Sequence, residues 1–190
     1  ACGTAYHAGL VGKFYIEKLV RKLVEVDLAS EFRYRSPIVD ENTLVIVVSQ
    51  SGETLDTLAA LKEAKELGAK TLAVTNVVGS SIAREAEFVI HTAAGPEIAV
   101  ASTKAYTTQL ILMFMLALYM AQISKTVSDA DAEKLIEQLK KIPAQISETL
   151  SDVEPIKTFA QIYGFNDDVF YILIENYKYN EMQIIFIFTY

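Results

Sequence analysis

Hydroxyl side chains cluster in the segment 49–54, whose sequence is SQSGET. The segment follows an apolar run over 44–48 and precedes a stretch with the apolar spacing of a helix. Such a strand-to-helix turn gathers hydroxyl and backbone N–H donors at the positive end of a helix dipole, which suits a phosphate group. The turn has neither the GxxxxGK(S/T) pattern of a Walker loop nor the GxGxxG pattern of dinucleotide folds, which argues against a nucleotide cofactor.

The hydroxyl groups of this turn also have a purely structural interpretation. The four hydroxyl residues within nine positions are Ser49, Ser51, Thr54 and Thr57. Gly52 lets the backbone approach a ligand closely. However, Ser51 or Thr54 could equally cap the following helix while Glu53 occupies its first turn. From these residues alone, the phosphate-binding and capping interpretations are equally good.

A second loop of small and hydroxyl residues, 95–104, leads into another helical stretch. We expect Ser102 and Thr103 to cap that helix, with Lys104 supplying a positive charge. Glu97 could accept hydrogen bonds from a sugar hydroxyl or pair with a basic residue. In the alternative, structural interpretation, these residues only end the loop and bind no ligand.

The opening segment 2–4 is a third candidate. Thr4 could place its hydroxyl beside the other two loops, at the end of a strand. The strand that would precede Thr4 is missing from the sequence. Cys2 could act as a nucleophile only with His7 or His91 as its base, and no sequence spacing connects either histidine to it. A buried or frayed thiol is the better interpretation.

Helical and strand-like patterns alternate along the chain and must position these loops. We predict helices over 6–24, 54–67, 105–124 and 129–150, and strands over 26–29, 44–48, 71–75 and 88–92. Strands this apolar have no solvent-exposed face, so we expect a parallel sheet that is covered by helices on both sides. The predicted fold class is α/β, a three-layer sandwich with a central parallel sheet flanked by helices. In such a sheet ligands bind beyond the carboxyl ends of the strands, where the 49–54 turn lies.

Composition limits the partners and the compartment. The chain has 190 residues, 52% of them apolar, a net charge of −7 and one cysteine. Without a cluster of Lys and Arg, this charge argues against nucleic acid and anionic lipid as partners. A single cysteine allows no disulfide framework and no zinc site, so we expect the cytoplasm and neither a metal nor another cofactor. The start at Ala1, without an initiator methionine or a signal peptide, suggests a chain cut from a longer protein.

The segment 105–124 holds no charged residue over the length of a membrane-spanning helix. Polar side chains near its ends lower its hydropathy, and the α/β pattern needs a buried helix here. We therefore expect a core or dimer-interface helix rather than a membrane span, and a homodimer.

Three blocks of sequence, taken in order and with their spacing, resemble one family. They are ACGT at 1–4, ASEFRYR at 29–35 with SQSGET at 49–54, and VASTKAY at 100–106. Together they are similar to the first sugar isomerase (SIS) domain of the glutamine:fructose-6-phosphate aminotransferases, also called glucosamine-6-phosphate synthases. The resemblance covers about residues 1–155 and implies the flavodoxin-like SIS fold.

The resemblance implies a fragment of an enzyme that makes glucosamine 6-phosphate and glutamate from fructose 6-phosphate and glutamine. By the family's pattern, the sugar phosphate is held by Ser49, Gln50, Ser51 and Thr54. The sugar itself is lined by Thr4, Val100 and Ser102. The edge of the same sugar site is shaped by Cys2 and Gly3. Residues 1–155 would form the first SIS domain, and 156–190 a linker and the start of a second SIS half. The family's acid/base residues lie in that second half, so we expect no catalytic residue here, and phosphosugar binding without efficient turnover.

The sequence departs from the family near residue 172. A strand predicted to begin over 167–172 is not followed by the family's Gly-Arg-Gly turn, and the tail over 173–190 is rich in Ile, Tyr, Phe and Asn. We interpret the tail as the product of a truncation or a frame shift. Glu175 is then a solvated charge and not a catalytic acid.

Two other functions would use the same hydroxyl turn. A non-catalytic SIS module could sense a phosphosugar for a regulator, but a fused helix-turn-helix would support that function and this chain has no basic helix. A free-standing phosphosugar isomerase would need a complete set of acid/base residues within the domain or its oligomer.

Overall fold

The computed structural model describes residues 1–99, 102–164, 171–172 and 187–188. The chain divides into two compact units, Ala1–Leu135 and Ile136–Tyr190.

The first unit contains three strands and most of the helices. The helices are α1 (Thr4–Tyr15), which continues as a π-helix over Ile16–Val20, α2 (Ala29–Phe32), α3 (Leu55–Glu66), α4 (Ser81–Glu85) and α5 (Lys104–Ile123). The strands are β1 (Leu44–Ser49), β2 (Lys70–Thr75) and β3 (Phe88–His91). Helix α6 (Asp129–Thr149) contains the boundary between the units, and the second unit holds α7 (Glu154–Tyr163) and the two-residue strands β4 (Tyr171–Ile172) and β5 (Ile187–Phe188).

The three strands of the first unit form a parallel sheet in chain order. Leu44 lies beside Lys70, and Leu72 lies beside Phe88. Parallel strands need helical crossovers, and α3 and α4 supply them. All three strands therefore direct their carboxyl ends toward one edge of the sheet, which is where the loop 49–54 lies.

Two apolar clusters cover the two faces of this sheet. On one face Val48 and Val74 pack with Ala5 of α1 and Met113 of α5. On the other face the cluster consists of Val47, Ala73, Leu61 of α3 and Ile82 of α4. Burial of each Val, Leu, Ile or Met side chain in these clusters contributes about 1.5–3 kcal/mol, so the two layers fix the sheet between the helices. The predicted α/β class, with helices on both faces of a parallel sheet, is confirmed.

Two sequence-based predictions near the amino terminus are wrong. The helix predicted over 6–24 ends at Val20, because Arg21 adopts a left-handed conformation with φ of 62°. The strand predicted over 26–29 does not form: 21–28 is irregular, and Ala29 begins α2. A strand requires a neighbour for its ladder of hydrogen bonds, and within the described residues no other strand lies beside this segment.

Helix α5 is the one described helix long and apolar enough to cross a membrane by length and composition. Its inner face packs on α1 and the π-helix, where Met113, Ala117 and Ala121 are buried. Met115 and Tyr119 remain exposed on other faces of the helix. One face of α5 therefore belongs to the core, and the other presents apolar surface.

The predictions for the carboxyl-terminal tail fall mainly outside the described residues. Of the strand predicted over 167–172, only Tyr171 and Ile172 are described, and they pair antiparallel with Phe188 and Ile187. Glu175 and the rest of the tail lie outside the described residues.

Candidate functional site

The loop 49–54 is folded around one buried hydroxyl group. Ser49 is the last residue of β1 and is only 3% exposed. Its Oγ accepts a hydrogen bond from the backbone N–H of Gly52 at 3.0 Å and lies 3.1 Å from Thr54 Oγ1. Ser49 therefore ties the start of the loop to the residue that precedes α3.

The structure does not support the capping interpretation of the loop hydroxyls. Thr54 occupies the N-cap position of α3, yet its side chain makes no capping hydrogen bond. Ser51 Oγ accepts from the backbone N–H of Glu53 at 3.1 Å, which lies within the loop and not within the helix. The hydroxyl groups thus shape the loop and leave the first turn of α3 without a side-chain cap.

Counting protons shows that the loop retains hydrogen-bond donors. The contact between Ser49 and Thr54 uses one of their two hydroxyl protons, so the other remains available. Ser51 acts as an acceptor toward Glu53 and keeps its own proton. Thr54 and Ser51 are half-buried whereas Ser49 is buried, so the free protons belong on the outer two residues. The loop can donate at least two O–H groups to an anion.

The fourth hydroxyl residue, Thr57, does not join this group. Its side chain is fully buried, and its Oγ1 has no partner among the described residues. Thr57 belongs to the buried face of α3, together with Ala60, Leu61 and Ala64. Thr57 is therefore not an open donor of the loop in this structure, and its contribution to phosphate binding stays a prediction.

A second loop, between β2 and α4, holds the 49–54 loop in place. Gln50 O accepts from Asn76 N at 3.1 Å, and Gly52 O accepts from Ile82 N at 2.9 Å. Glu53 Oε1 accepts from the backbone N–H of Ser81 at 2.8 Å. Sequence reasoning missed this support because the two loops are about 28 residues apart.

Glu53 is held as a carboxylate. Hydrogen bonds with the side chain and the backbone N–H of Ser81 lower the pKa of Glu53 from its ordinary value, and the positive charge of Arg84 acts in the same direction. The carboxylate points to the start of α4, where a negative charge is favourable. Its role here is to join two loops.

The start of α1 lies at the same edge of the sheet as this loop. Gly3 is the N-cap of α1, with a positive φ of 57°, and Thr4 is the exposed first residue of the helix. The next residue, Ala5, packs in one cluster with Val48, the neighbour of Ser49. The segment 2–4 therefore sits beside the carboxyl end of β1, as predicted, and Cys2 is half-buried there.

The start of α5 reaches this edge as well. A Cβ on Gly12 would lie 2.9 Å from Met113 Sδ, so the middle of α1 touches the middle of α5. Further along, the π-helix packs on Ala117 and Ala121, so α1 and α5 run in the same direction. Ser102, two residues before α5, is thereby directed to the same edge as the start of α1. Val100 lies outside the described residues.

The cap of α5 differs from the one predicted. Glu97 Oε2 accepts from the backbone N–H groups of Thr103 and Ala105, both at 3.0 Å, whereas the Thr103 side chain makes no capping bond. These backbone hydrogen bonds lower the pKa of Glu97, and the bond from Ala105 has the largest effect. Ser102 has a positive φ of 58° and does not act as the N-cap. The acidic side chain several residues earlier outcompetes the hydroxyls because it can accept two N–H groups at once.

The carboxyl edge of the sheet thus gathers three predicted groups, namely the segment 2–4, the loop 49–54 and Ser102. They offer hydroxyl groups and the positive ends of three helices, which favour an anion. Within the described residues there is no group of three His, Cys, Asp or Glu side chains that could hold a metal ion.

Comparisons with known proteins agree with this architecture. The SIS domain family matches residues 1–119. Glutamine–fructose-6-phosphate aminotransferase (isomerizing) of Clostridium tetani is 59% identical over 172 residues, which cover 90% of this chain and 28% of that protein. The protein of the same name from Clostridium acetobutylicum is 58% identical over the same shares. This chain therefore spans little more than a quarter of the length of these relatives.

A solved structure shows the same fold. The C-terminal domain of glucosamine-fructose-6-phosphate aminotransferase from Francisella tularensis has a TM-score of 0.83 and 37% sequence identity, with 87% of this chain and 47% of that chain covered. The resemblance inferred from the three sequence blocks is confirmed. The chain belongs to the SIS domain family.

Proposed function

We propose that this chain is the first phosphosugar-binding domain of a glutamine–fructose-6-phosphate aminotransferase (isomerizing). The observation that carries the proposal is the 59% identity, over 90% of the chain, to a relative of that name. Residues 1–155 would form the first SIS domain, and 156–190 would begin a second half. The ligand would be fructose 6-phosphate or glucosamine 6-phosphate.

In this proposal the loop 49–54 binds the phosphate group. Thr54 and Ser51 are its outer hydroxyl donors, while Ser49 holds Thr54 and the Gly52 N–H in position. Gln50 belongs to the same loop. The sugar itself is lined by residues that precede α1 and α5, namely Cys2, Gly3, Thr4, Val100 and Ser102.

The isolated chain is proposed to bind the sugar without efficient turnover. Isomerisation of a 2-ketose phosphate needs a base that moves a proton between C1 and C2, and groups that stabilise the enediol oxygens. The candidate residues at the carboxyl edge are hydroxyl, amide and thiol groups and backbone donors. We expect no glucosamine 6-phosphate from fructose 6-phosphate and ammonia, and its formation at an enzymatic rate would contradict this part of the proposal.

Calorimetric titration with fructose 6-phosphate tests the binding site. We expect saturable binding that is lost with fructose, which lacks the phosphate group. Thr54→Ala removes one donor and weakens binding by about 1–2 kcal/mol. Ser49→Ala weakens it at least as much, since it also leaves the Gly52 N–H without its partner.

A matched control is Thr149→Ala. Thr149 is exposed, lies in the second unit, and its Oγ1 bonds only the carbonyl of Gln145 in its own helix among the described contacts. We expect unchanged affinity for this variant. Equal affinity of the wild type, Thr54→Ala and Ser49→Ala for the phosphosugar would refute the loop as the binding site.

We further infer a cytoplasmic homodimer whose partner molecule is a phosphosugar rather than nucleic acid or a membrane. The single cysteine supports the reducing compartment. The absence of a Lys/Arg cluster in the sequence argues against polyanions. The exposed apolar face of α5 supports self-association.

A further inference from the structure

Buried polar atoms without a hydrogen-bond partner gather near the starts of the helices at the carboxyl edge. Among the described residues these atoms are Asp27 Oδ2, Thr57 Oγ1, Ser80 Oγ and Gln109 Oε1. Asp27 Oδ2 forms an ion pair with Arg35 Nε. The other three belong to the first two turns of α3 and α5 or to the N-cap of α4. A buried polar group without a partner is rare in folded proteins and calls for an explanation.

Gln109 lies in the apolar interface between α1 and α5. Only 2% of its surface is exposed, and it shares the inner face of α5 with Ala105 and Met113, four residues before and after it. The buried residues of α1 are all small, namely Ala5, Ala8 and Gly12. These small residues leave room for an amide group, but their side chains form no hydrogen bond with it.

The Gln109 side chain is directed toward the candidate site. In an α-helix the Cα–Cβ bond tilts toward the amino terminus, so a long side chain covers the preceding turn. Gly12 contacts Met113, and the two helices run in the same direction. Four residues earlier in each helix, Ala8 therefore lies at the level of Gln109. The preceding turn of α1 is its first turn, which begins at Thr4.

The first turn of α1 needs an acceptor, and Gln109 can supply one. The first N–H groups of a helix have no partner within the helix. In α1 no side chain caps them, because the N-cap residue is Gly3. Gln109 Oε1 is a buried acceptor without a donor. The two groups are therefore complementary partners across the interface between α1 and α5.

The same interface sets the distance between two segments of the candidate site. The segment 2–4 ends at the first residue of α1, and Ser102 lies two residues before α5. Both segments are proposed above to line the sugar. A hydrogen bond between the first turn of α1 and a side chain of α5 would hold these two segments in one arrangement.

We propose that Gln109 is a positioning residue of the phosphosugar site. In the complex its amide oxygen accepts a backbone N–H of the first turn of α1, which fixes Thr4 relative to Ser102. This inference rests on the proposed function. A hydrogen bond made only in the complex adds to the affinity, whereas the same oxygen without a partner destabilises the free chain. Gln109 thereby acts on the sugar part of the ligand, and the loop 49–54 acts on the phosphate.

Gln109→Met tests this role, because Met is a flexible, unbranched side chain that fills the space without a polar amide. Removal of the buried unpartnered oxygen should raise the Tm of the free chain by about 2–4 °C. In the complex the missing hydrogen bond should weaken binding of fructose 6-phosphate by about tenfold. Inorganic phosphate, which has no sugar part, should bind the variant and the wild type equally. A purely structural Gln109 would not weaken binding while raising the Tm.

Gln122→Met is the matched control. Gln122 lies near the opposite end of α5, where its Nε2 donates to Asp129 Oδ1 at 3.2 Å. We expect this variant to bind both ligands as the wild type does. Thr54→Ala, on the phosphate side, should weaken binding of both ligands. NMR titration measures the affinities, and hydrogen exchange of the amides of 4–6 should slow on binding of fructose 6-phosphate in the wild type more than in Gln109→Met.

Each result decides the proposal. Saturable binding of fructose 6-phosphate by the wild type, with equal affinity for Gln109→Met, would overturn the role of Gln109 and leave the proposed function standing. An equal loss of affinity for inorganic phosphate would overturn its action on the sugar part. A lower Tm of the free variant would also overturn it, because the amide would then be hydrogen-bonded in the free chain. No binding of fructose 6-phosphate by the wild type would overturn the proposed function and this inference together.

Discussion

Among single residues, Gly52 determines the shape of the proposed phosphate loop. Its φ is +68°, and a Cβ at this position would lie 2.0 Å from Ser80 Oγ and 2.5 Å from Ser80 Cβ. Ser80 is buried, so it has little space into which to move. The glycine therefore satisfies two requirements at once, a positive φ and close contact between the two loops.

Gly52→Ala and Gly79→Ala separate these two requirements. Gly79 has a similar φ of +72° but no atom within 4 Å of an added Cβ. We expect Gly79→Ala to lower the free energy of unfolding by about 1–2 kcal/mol through backbone strain alone. Gly52→Ala should lower it by about 2–5 kcal/mol, because overpacking adds to the strain. Urea unfolding measures both, and equal losses would show that the contact with Ser80 is unimportant.

Between elements, the Glu53 carboxylate joins the loop after β1 to the start of α4. It accepts the Ser81 N–H at 2.8 Å, and this contact holds the pKa of Glu53 below its ordinary value of 4.5. A carboxyl group with a lowered pKa in the folded state stabilises the fold above its ordinary pKa. That contribution is lost as the pH falls through the folded-state pKa.

Glu53→Gln tests this link through its pH dependence. The amide oxygen of Gln can still accept from Ser81, but it carries no charge. We expect the variant to melt at a lower temperature than the wild type at pH 7, and the difference to shrink as the pH falls below 4.5. Thermal unfolding between pH 3 and pH 7, in about one-unit steps, measures it. A difference that does not change with pH would mean that the charge of Glu53 is unimportant. Glu41→Gln, at an exposed position outside these contacts, is the control.

For the molecule as a whole, the exposed apolar residues of α5 are the strongest indication of self-association. Met115 is 55% and Tyr119 is 63% exposed, although both lie in one of the most apolar segments of the chain. Together with Ile90 and Leu116 they line a groove of about 510 Å³ beside β3. Apolar surface of this kind is typical of protein interfaces.

Tyr119→Glu tests the proposed homodimer. If the α5 surface is the interface, a charge buried there without a partner costs about 3 kcal/mol or more and weakens the dimer by about 100-fold or more. Leu55→Glu is the control, because Leu55 is 80% exposed on α3, which covers the opposite face of the sheet. Sedimentation equilibrium should show a dimer for the wild type and the control. Monomers for all three, or dimers for all three, would contradict an interface at α5.

The class of fold, the order of the main elements and the position of the proposed phosphate loop follow from local sequence patterns. Apolar runs such as 44–48 and 71–75 indicate buried strands, and their alternation with helical spacing indicates a parallel sheet. The loop 49–54 then has to lie at the carboxyl edge, because it follows a strand of that sheet. These inferences succeed because they depend on periodicity and chain order, which are local properties.

Contacts between distant parts of the chain determine which side chains cap the helices, which support the candidate site and which lie away from it. Glu97 caps α5 in place of the hydroxyls beside it, Glu53 and Ser80 connect loops far apart in sequence, and Thr57 is turned into the core. The strand predicted over 26–29 does not form, because no strand of the described residues lies beside this segment. A strand, a cap or a buried hydroxyl depends on what lies beside it in space, and a local sequence pattern carries no information about that neighbour.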